Sequence, residues 1–336
     1  MNHSRLALAA ALTVALPLSA TVVPPAEAQA LSSSSELEAL LKRYVPGVPP
    51  ETVQVLAVIA ALAASIALTI PIARAGGGQA DAAPSAVGGS VETNTVRVGT
   101  RTRSYDAVLP RGYNPARSYP VVLGFGGWQH SAAQMRGYAG LEREFDDAIV
   151  VYAQGVNDAW GGAPYAATGV DDDIAYVRAV LDDVATRYDA NPRRAVAVGL
   201  SNGGGMAAAL ACHAPDTVRA AAAVAGAYYT PTVTGCAPGA VPVLLMHGTR
   251  DDVVGYGGGT RHGASYASVD AVAGTFGRKN GCSGTFSQSR SGNVTTFDAT
   301  GCLARTTVER VEGGTHTWFT DPSATRETAH FLSRYL

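Results

Sequence analysis

From Thr93 onward, short apolar runs alternate with stretches in which apolar residues recur every three or four positions. Tyr119–Phe125 and Ala148–Ala153 are continuous apolar runs, the pattern of strands buried on both faces of a parallel sheet. Thr95–Val98 and Ser104–Leu109, on either side of a turn near Gly99, predict an antiparallel opening pair. Asp173–Tyr188 sets Ile174, Val177, Leu181, Val184 and Tyr188 at steps of three and four, which predicts an amphipathic helix packed on a sheet and ended by Asn191-Pro192. Strands follow over Ala195–Leu200, Ala220–Ala225, Val241–Met246 and Arg305–Val311, and Ser323–Tyr335 reads as a closing helix. This β-α alternation predicts a single α/β domain over 93–336, with a mostly parallel sheet and helices on both faces.

Upstream the pattern changes. Arg5 precedes the apolar run Leu6–Leu16, and Ala26-Glu-Ala28 and Ala28-Gln-Ala30 offer cleavage sites, so residues 1–30 read as a secretory signal peptide. Residues 31–75 hold a second apolar segment, Val53–Ala73, long enough to span a membrane as a helix. A stop-transfer helix after a cleaved signal peptide would leave everything beyond Arg74 in the cytoplasm, at odds with disulfide formation. The segment is therefore read as a helical envelope anchor inserted from outside, with self-association, or an unexported chain, as alternatives. Gly76–Gly89 is rich in Gly, Ala and Pro and predicts a flexible linker over 76–92.

The bulk composition narrows the partners. With 336 residues, 47% apolar and 15% charged, and a formal charge of −2, the chain has no electrostatic case for nucleic acid or an anionic membrane surface. No G-x-x-x-x-G-K-[ST] loop is present, so a nucleotide role has no support. The four cysteines include no C-x-x-C spacing. Sequential pairing, Cys212 with Cys236 and Cys282 with Cys302, is preferred among three connectivities because each bridge would pin one long loop. By loop entropy each would contribute about 3 kcal/mol.

The chemistry concentrates at Gly199-Leu-Ser201-Asn202-Gly203, a G-x-S-x-G motif between a predicted strand and an Ala-rich helix. At such a junction the turn is sharp enough to require small residues two before and two after the serine, and it lifts the hydroxyl out of the sheet. A serine nucleophile needs a base and an acid that orients the base. Asp251, after the Val241–Met246 strand, is preferred as the acid over Asp252, although either aspartate could be a turn residue. Of the later histidines, His330 falls in the closing helix and His262 has no strand before it. His316 follows the Arg305–Val311 strand in a Gly-rich loop and is the expected base, and His247 is expected to support the acid loop. Two N–H donors are needed for the developing oxyanion: Asn202 should supply one, and the loop Gly126-Gly127-Trp128 the other. Trp128 and Trp318 would wall the acyl pocket or belong to the core.

With these motifs, residues from about Thr95 to Leu336 resemble the extracellular α/β-hydrolase esterases that include polyhydroxybutyrate depolymerases, feruloyl esterases and acetyl xylan esterases. The resemblance rests on Gly199-Leu-Ser201-Asn-Gly-Gly, Asn280-Gly-Cys282, His247-Gly-Thr-Arg-Asp251 and Gly313-Gly-Thr-His316-Thr-Trp318. It implies an α/β-hydrolase fold, Ser201 as nucleophile, Asp251 as acid, His316 as base, an oxyanion-hole amide at Asn202, and bridges matching the four cysteines. The chain departs from the family pattern at Gly124-Phe125, Gly255 and Phe319-Thr320, positions that bear on specificity rather than on the chemistry. The expectation is an exported or envelope-associated serine esterase acting on small-molecule, glycan or lipid esters, with no metal or cofactor. An envelope acyltransferase resembling the mycolyltransferases and a non-catalytic envelope binding protein are the alternatives.

Overall fold

The computed structural model describes residues 89–336. The expected signal peptide, the apolar segment Val53–Ala73 and most of the expected linker lie outside the described residues. Strands β1 (Val91–Val98) and β2 (Arg101–Val108) form the antiparallel pair predicted at the start, with Gly99 at φ 57° in their turn. β1 opens at Val91, so the last residues assigned to the linker are strand. β3 (Tyr119–Phe125) and β4 (Ile149–Ala153) coincide with the two fully apolar runs, and every residue in both is buried.

The chain continues through α1 (Ala132–Ala139), α2 (Val170–Tyr188), β5 (Ala190–Leu200), α3 (Asn202–His213), β6 (Ala221–Val224) and β7 (Val243–Gly248). A short ribbon follows, β8 (Gly259–Arg261) with β9 (Ala264–Tyr266). Then come α4 (Val269–Lys279), the hairpin β10 (Phe286–Ser291) and β11 (Val294–Ala299), β12 (Thr306–Val311) and α5 (Ala324–Leu332). The main sheet has the order β1-β2-β4-β3-β5-β6-β7-β12-β11-β10. Its centre, from β4 to β12, is parallel, and antiparallel strands close both edges. This is the α/β-hydrolase arrangement.

The period-two alternation of strand side chains sorts the core into two layers. Val121, Leu123 and Phe125 pack with α2, α3 and α4, whereas Val122, Val196 and Val198 pack with α1 and α5. Ala195, Ala197, Ala221 and Ala223 face α3, whose own surface is mainly Gly and Ala. Small residues on both sides let a helix that is buried from Asn202 to Cys212 lie close to the strands. Asn191-Pro192 does not end α2. Asp189 does so in a left-handed conformation at φ 51°, and Asn191 and Pro192 fall within β5 where its register against β3 shifts, a place that tolerates proline's missing donor.

Both sequential disulfides are formed, Cys212–Cys236 and Cys282–Cys302. Beside the second, the buried Asn280 side chain accepts from the Val241 N–H and donates to the Val241 carbonyl and to Thr306 Oγ1. It ties the entries of β7 and β12 together.

On β12, burial drives the Glu309 carboxyl up to about 7, with Glu327 and Asp298 adding to the rise against Arg305. One of its carboxylate oxygens is buried without a partner. A carboxyl with a higher pKa in the folded chain than in the unfolded one binds its proton more tightly when folded. Its stabilising contribution is complete below the unfolded value and is lost as the pH rises through the folded value. Glu309→Gln should therefore be more stable than the parent at about pH 8, and should flatten the decline in melting temperature between about pH 5 and pH 8. Thermal unfolding across that range checks both.

Candidate active site

β5 runs into α3 through Ser201, which sits at φ 55°, ψ −119°, a conformation that costs a non-glycine residue about 1–3 kcal/mol. Its neighbours hold it there. The Ser201 N–H donates to the Val224 carbonyl at 2.9 Å, and its own carbonyl accepts from Gly205 and Ala227 N–H groups, each at 2.9 Å. The flanking glycines are required by contact. A Cβ on Gly199 would lie 2.2 Å from the Gly203 carbonyl oxygen, and one on Gly203 would lie 2.2 Å from that of Phe125.

β7 and β12 are parallel neighbours, with Gly248 opposite Val311, so the loops that leave their carboxyl ends start side by side. The Arg250 N–H donates to the Gly314 carbonyl at 2.9 Å and the Gly313 N–H to Thr249 Oγ1 at 2.9 Å. These bonds seat the His316 loop on the Asp251 loop. His316 Nδ1 lies 2.7 Å from Asp251 Oδ2, and its Nε2 lies 2.9 Å from Ser201 Oγ. With Asp251 ionised, the imidazole proton sits on Nδ1, and Nε2 accepts from the serine hydroxyl.

Burial alone would raise the Asp251 carboxyl, but hydrogen bonds from His247, His316 and the Val254 N–H outweigh it and hold the group well below the usual carboxylate range. Oδ1 accepts from the Val253 and Val254 N–H groups at 3.0 and 2.7 Å. His247 Nε2 lies 3.1 Å from Oδ2 and 2.8 Å from the Val254 carbonyl, so its N–H is shared between them. Its Nδ1 is buried without a partner and is the unprotonated nitrogen. Asp252, in contrast, is exposed. His330 is on the outer surface beside Arg334.

The loop Gly126-Gly127-Trp128 closes over the same spot, with Gly127 packed against Ser201. The Gly126 carbonyl accepts from Trp160 Nε1 at 2.9 Å. Asn202 plays two parts. Its N–H opens α3 and has no helical acceptor. Its side chain turns away from Ser201, accepting from the Trp160 N–H at 2.7 Å and donating to the Trp160 carbonyl at 3.1 Å. That second part was not readable from the sequence.

A cavity of about 400 Å³ opens on Ser201 and His316, with Trp128 and Trp318 in its wall. Trp318 is also core: it is buried and its Nε1 donates to Thr325 Oγ1 at 3.0 Å. Residues that sequence reasoning missed complete the wall. Tyr165 stacks on Trp128 at 4.3 Å, Tyr229 lies edge-on to Tyr165, and His130 sits beside Tyr138. His262 does follow a strand, the three-residue β8, and its ring meets Trp128 and Tyr165 at the pocket mouth.

With this geometry in view, the chain can be placed among known proteins. The Esterase family model, described as "Putative esterase", matches residues 100–251, a stretch that holds Ser201 and ends at Asp251. The chain is 33% identical over 169 residues to "Putative esterase NocK" of Nocardia uniformis subsp. tsuyamanensis, covering 47% of this chain and about half, 49%, of that protein. It is 28% identical over 272 residues to feruloyl esterase D of Neurospora crassa, covering 73% of this chain and 86% of that one. In backbone shape it is similar to the CE1 ferulic acid esterase AmCE1/Fae1A of Anaeromyces mucronatus, with a TM-score of 0.52, 13% identity, and coverage of 76% of this chain and 93% of that chain.

The contacts at the elbow make one sharp contrast. Gly203→Ala should cost about 1–3 kcal/mol by overpacking against the Phe125 and Gly126 carbonyls. Gly137→Ala, on the exposed face of α1 with open space around it, should instead stabilise by about 0.5–1 kcal/mol. Denaturant unfolding of the two variants measures both signs.

Proposed function

We propose that this chain is a carboxylic ester hydrolase of the α/β-hydrolase esterase family and works through an acyl-enzyme formed on Ser201. The observation that carries the reading is the continuous hydrogen-bond path from Ser201 Oγ through His316 to Asp251, at 2.9 and 2.7 Å. As Ser201 Oγ attacks the ester carbonyl, His316 Nε2 takes its proton. Asp251 holds the imidazole in the productive tautomer and stabilises the imidazolium. The negative charge that develops on the carbonyl oxygen is met by the Asn202 N–H and by an N–H of the Gly126-Gly127-Trp128 loop. Collapse of the tetrahedral intermediate breaks the ester C–O bond, and His316 returns the proton to the departing alcohol. Water, deprotonated by His316, then attacks the acyl carbon and releases the acid. The scheme uses neither metal nor cofactor.

The aromatic wall of Trp128, Tyr165 and Tyr229 suits a flat aryl acyl group. Relatives named feruloyl esterase point the same way. The substrate class is therefore a small hydroxycinnamoyl-type ester. Two disulfides fit an oxidising compartment, and no helix among the described residues is long and apolar enough to cross a membrane. Export through residues 1–30, an envelope anchor at Val53–Ala73 and a single catalytic domain that opens with β1 at Val91 complete the reading.

Ser201→Ala should lower kcat on 4-nitrophenyl acetate by at least about 10⁴-fold without changing the melting temperature, and Asp251→Asn by roughly 10⁴-fold. Asp252→Asn should stay within about twofold, as expected for an exposed residue outside the hydrogen-bond path. Retained turnover in the serine variant overturns the scheme. With a sugar acceptor added, free acid should remain the product, and an acyl sugar would reassign the enzyme as a transferase.

A further inference from the structure

The pocket mouth carries a cation that the ester chemistry does not use. β8 and β9 pair antiparallel through the two-residue turn His262-Gly263, with φ of 54° and 76°. Positive φ at both positions is the hairpin turn that matches strand twist. The turn swings the His262 ring against Trp128 and Tyr165, at 5.0 and 5.2 Å, while Tyr266 packs on Tyr229 at 5.8 Å. The ribbon is thus a wall of the catalytic cavity, and Arg261 at its tip lines that cavity.

Arg261 is only partly engaged. Its Nε–H donates to His262 Nε2 at 3.3 Å and one NH1 hydrogen to the Val253 carbonyl at 3.3 Å. Among the described residues no carboxylate pairs with it, and the NH2 edge of the fork makes no hydrogen bond. No Asp or Glu lines the cavity, whereas Arg261, His130, His262 and His316 all do. The cation is felt inside: burial raises the Tyr165 and Tyr229 phenols, and Arg261 pulls both back. A guanidinium fork at an aromatic rim, with no internal counter-ion, is built to take a planar oxyanion on two N–H groups.

We infer that Arg261 binds a carboxylate carried by the substrate itself, so that the preferred esters hold a negative charge beside the scissile bond. The inference rests on the serine-esterase reading and extends it by assigning a charge to the substrate. Arg261 is a specificity residue here, and the carboxylate stands on whichever half of the ester reaches the hairpin.

Two pairs of esters test it. Mono(4-nitrophenyl) adipate against 4-nitrophenyl hexanoate places the charge on the acid half. 4-Acetoxybenzoate against its methyl ester places it on the alcohol half. In at least one pair the parent enzyme should favour the anion, and in Arg261→Gln the anionic-to-neutral ratio of kcat/KM should fall by about tenfold or more, mainly through KM. Arg261→Lys should retain part of the preference, and raising the salt from about 0.05 to 0.5 M should shrink it in the parent. If Arg261 only pinned the hairpin to Val253, the glutamine variant would lower both members of each pair equally. That result, or no preference for the anion in either pair, overturns the inference. Failure of the parent enzyme to turn over any of the four esters would instead strike at the serine-esterase reading.

Discussion

The parallel pairing of β12 on β7 is the constraint from which the site follows. Asp251 and His316 lie 65 residues apart, yet both leave neighbouring strands at the same end of the sheet. The two loops then touch through backbone. A Cβ on Gly248 would come within 2.2 Å of the Gly314 carbonyl oxygen, and the Arg250 and Thr249 N–H groups donate across the gap to Gly314 and Val311. With β12 elsewhere, His316 would have no reason to stand over Ser201. Long-range parallel pairing is expensive in chain entropy, and the chain supports it twice. Asn280 joins the entries of the two strands, and the β10–β11 hairpin extends the sheet beyond β12.

Around that frame the site gathers features that would each destabilise a protein alone. A buried carboxylate without partners costs several kcal/mol. Asp251 instead accepts two backbone N–H groups on one oxygen and two imidazole N–H groups on the other. His247 Nε2, which also reaches the Val254 carbonyl, satisfies that oxygen beside His316. The strain at Ser201 is likewise fixed from three sides, by Val224, Gly205 and Ala227. In the proposed mechanism, ordering these groups in advance means that little has to reorganise when charge moves from serine to imidazole.

The parallel core was legible because its strands are fully apolar runs, and β3 falls where the pattern predicts it. The elbow was legible because its steric demand leaves glycines in the sequence. What escaped was structure made without hydrophobic periodicity. β8 and β9 are Gly-Thr-Arg and Ala-Ser-Tyr, mostly exposed and too short to show alternation, and β10 is exposed along its whole length. Two helices were missed although their caps were readable. Ser131 and Gln134 form a capping box at the start of α1, and Ser268 caps α4 ahead of Val269, Val272 and Phe276. The end of α2 was misplaced because Pro192 looked like its breaker, while the residue that turned the chain was the left-handed Asp189. Tyr165 and Tyr229 carried no local signal, since only the folded path of their loops brings them to Ser201.

That loop path is itself tied to the catalytic frame. Asp173, buried in the first turn of α2, accepts from Arg103, from the Gly161 N–H and from Thr168 Oγ1, and so clamps both ends of the segment bearing Tyr165. Arg103 in turn lies over the Tyr176 ring at 3.7 Å. Breaking such a buried pair by removing one partner typically costs about 3–5 kcal/mol. From the other side, Asn202 holds Trp160 by two hydrogen bonds while its own N–H opens α3 without a helical acceptor. One residue therefore links the elbow to the loop that shapes the pocket. In the proposed scheme, changes to the Asn202 side chain would act on the pocket wall before they act on the chemistry, because the donor belongs to the backbone and survives the substitution. The segment that bears Tyr165 is thereby fastened to the elbow itself.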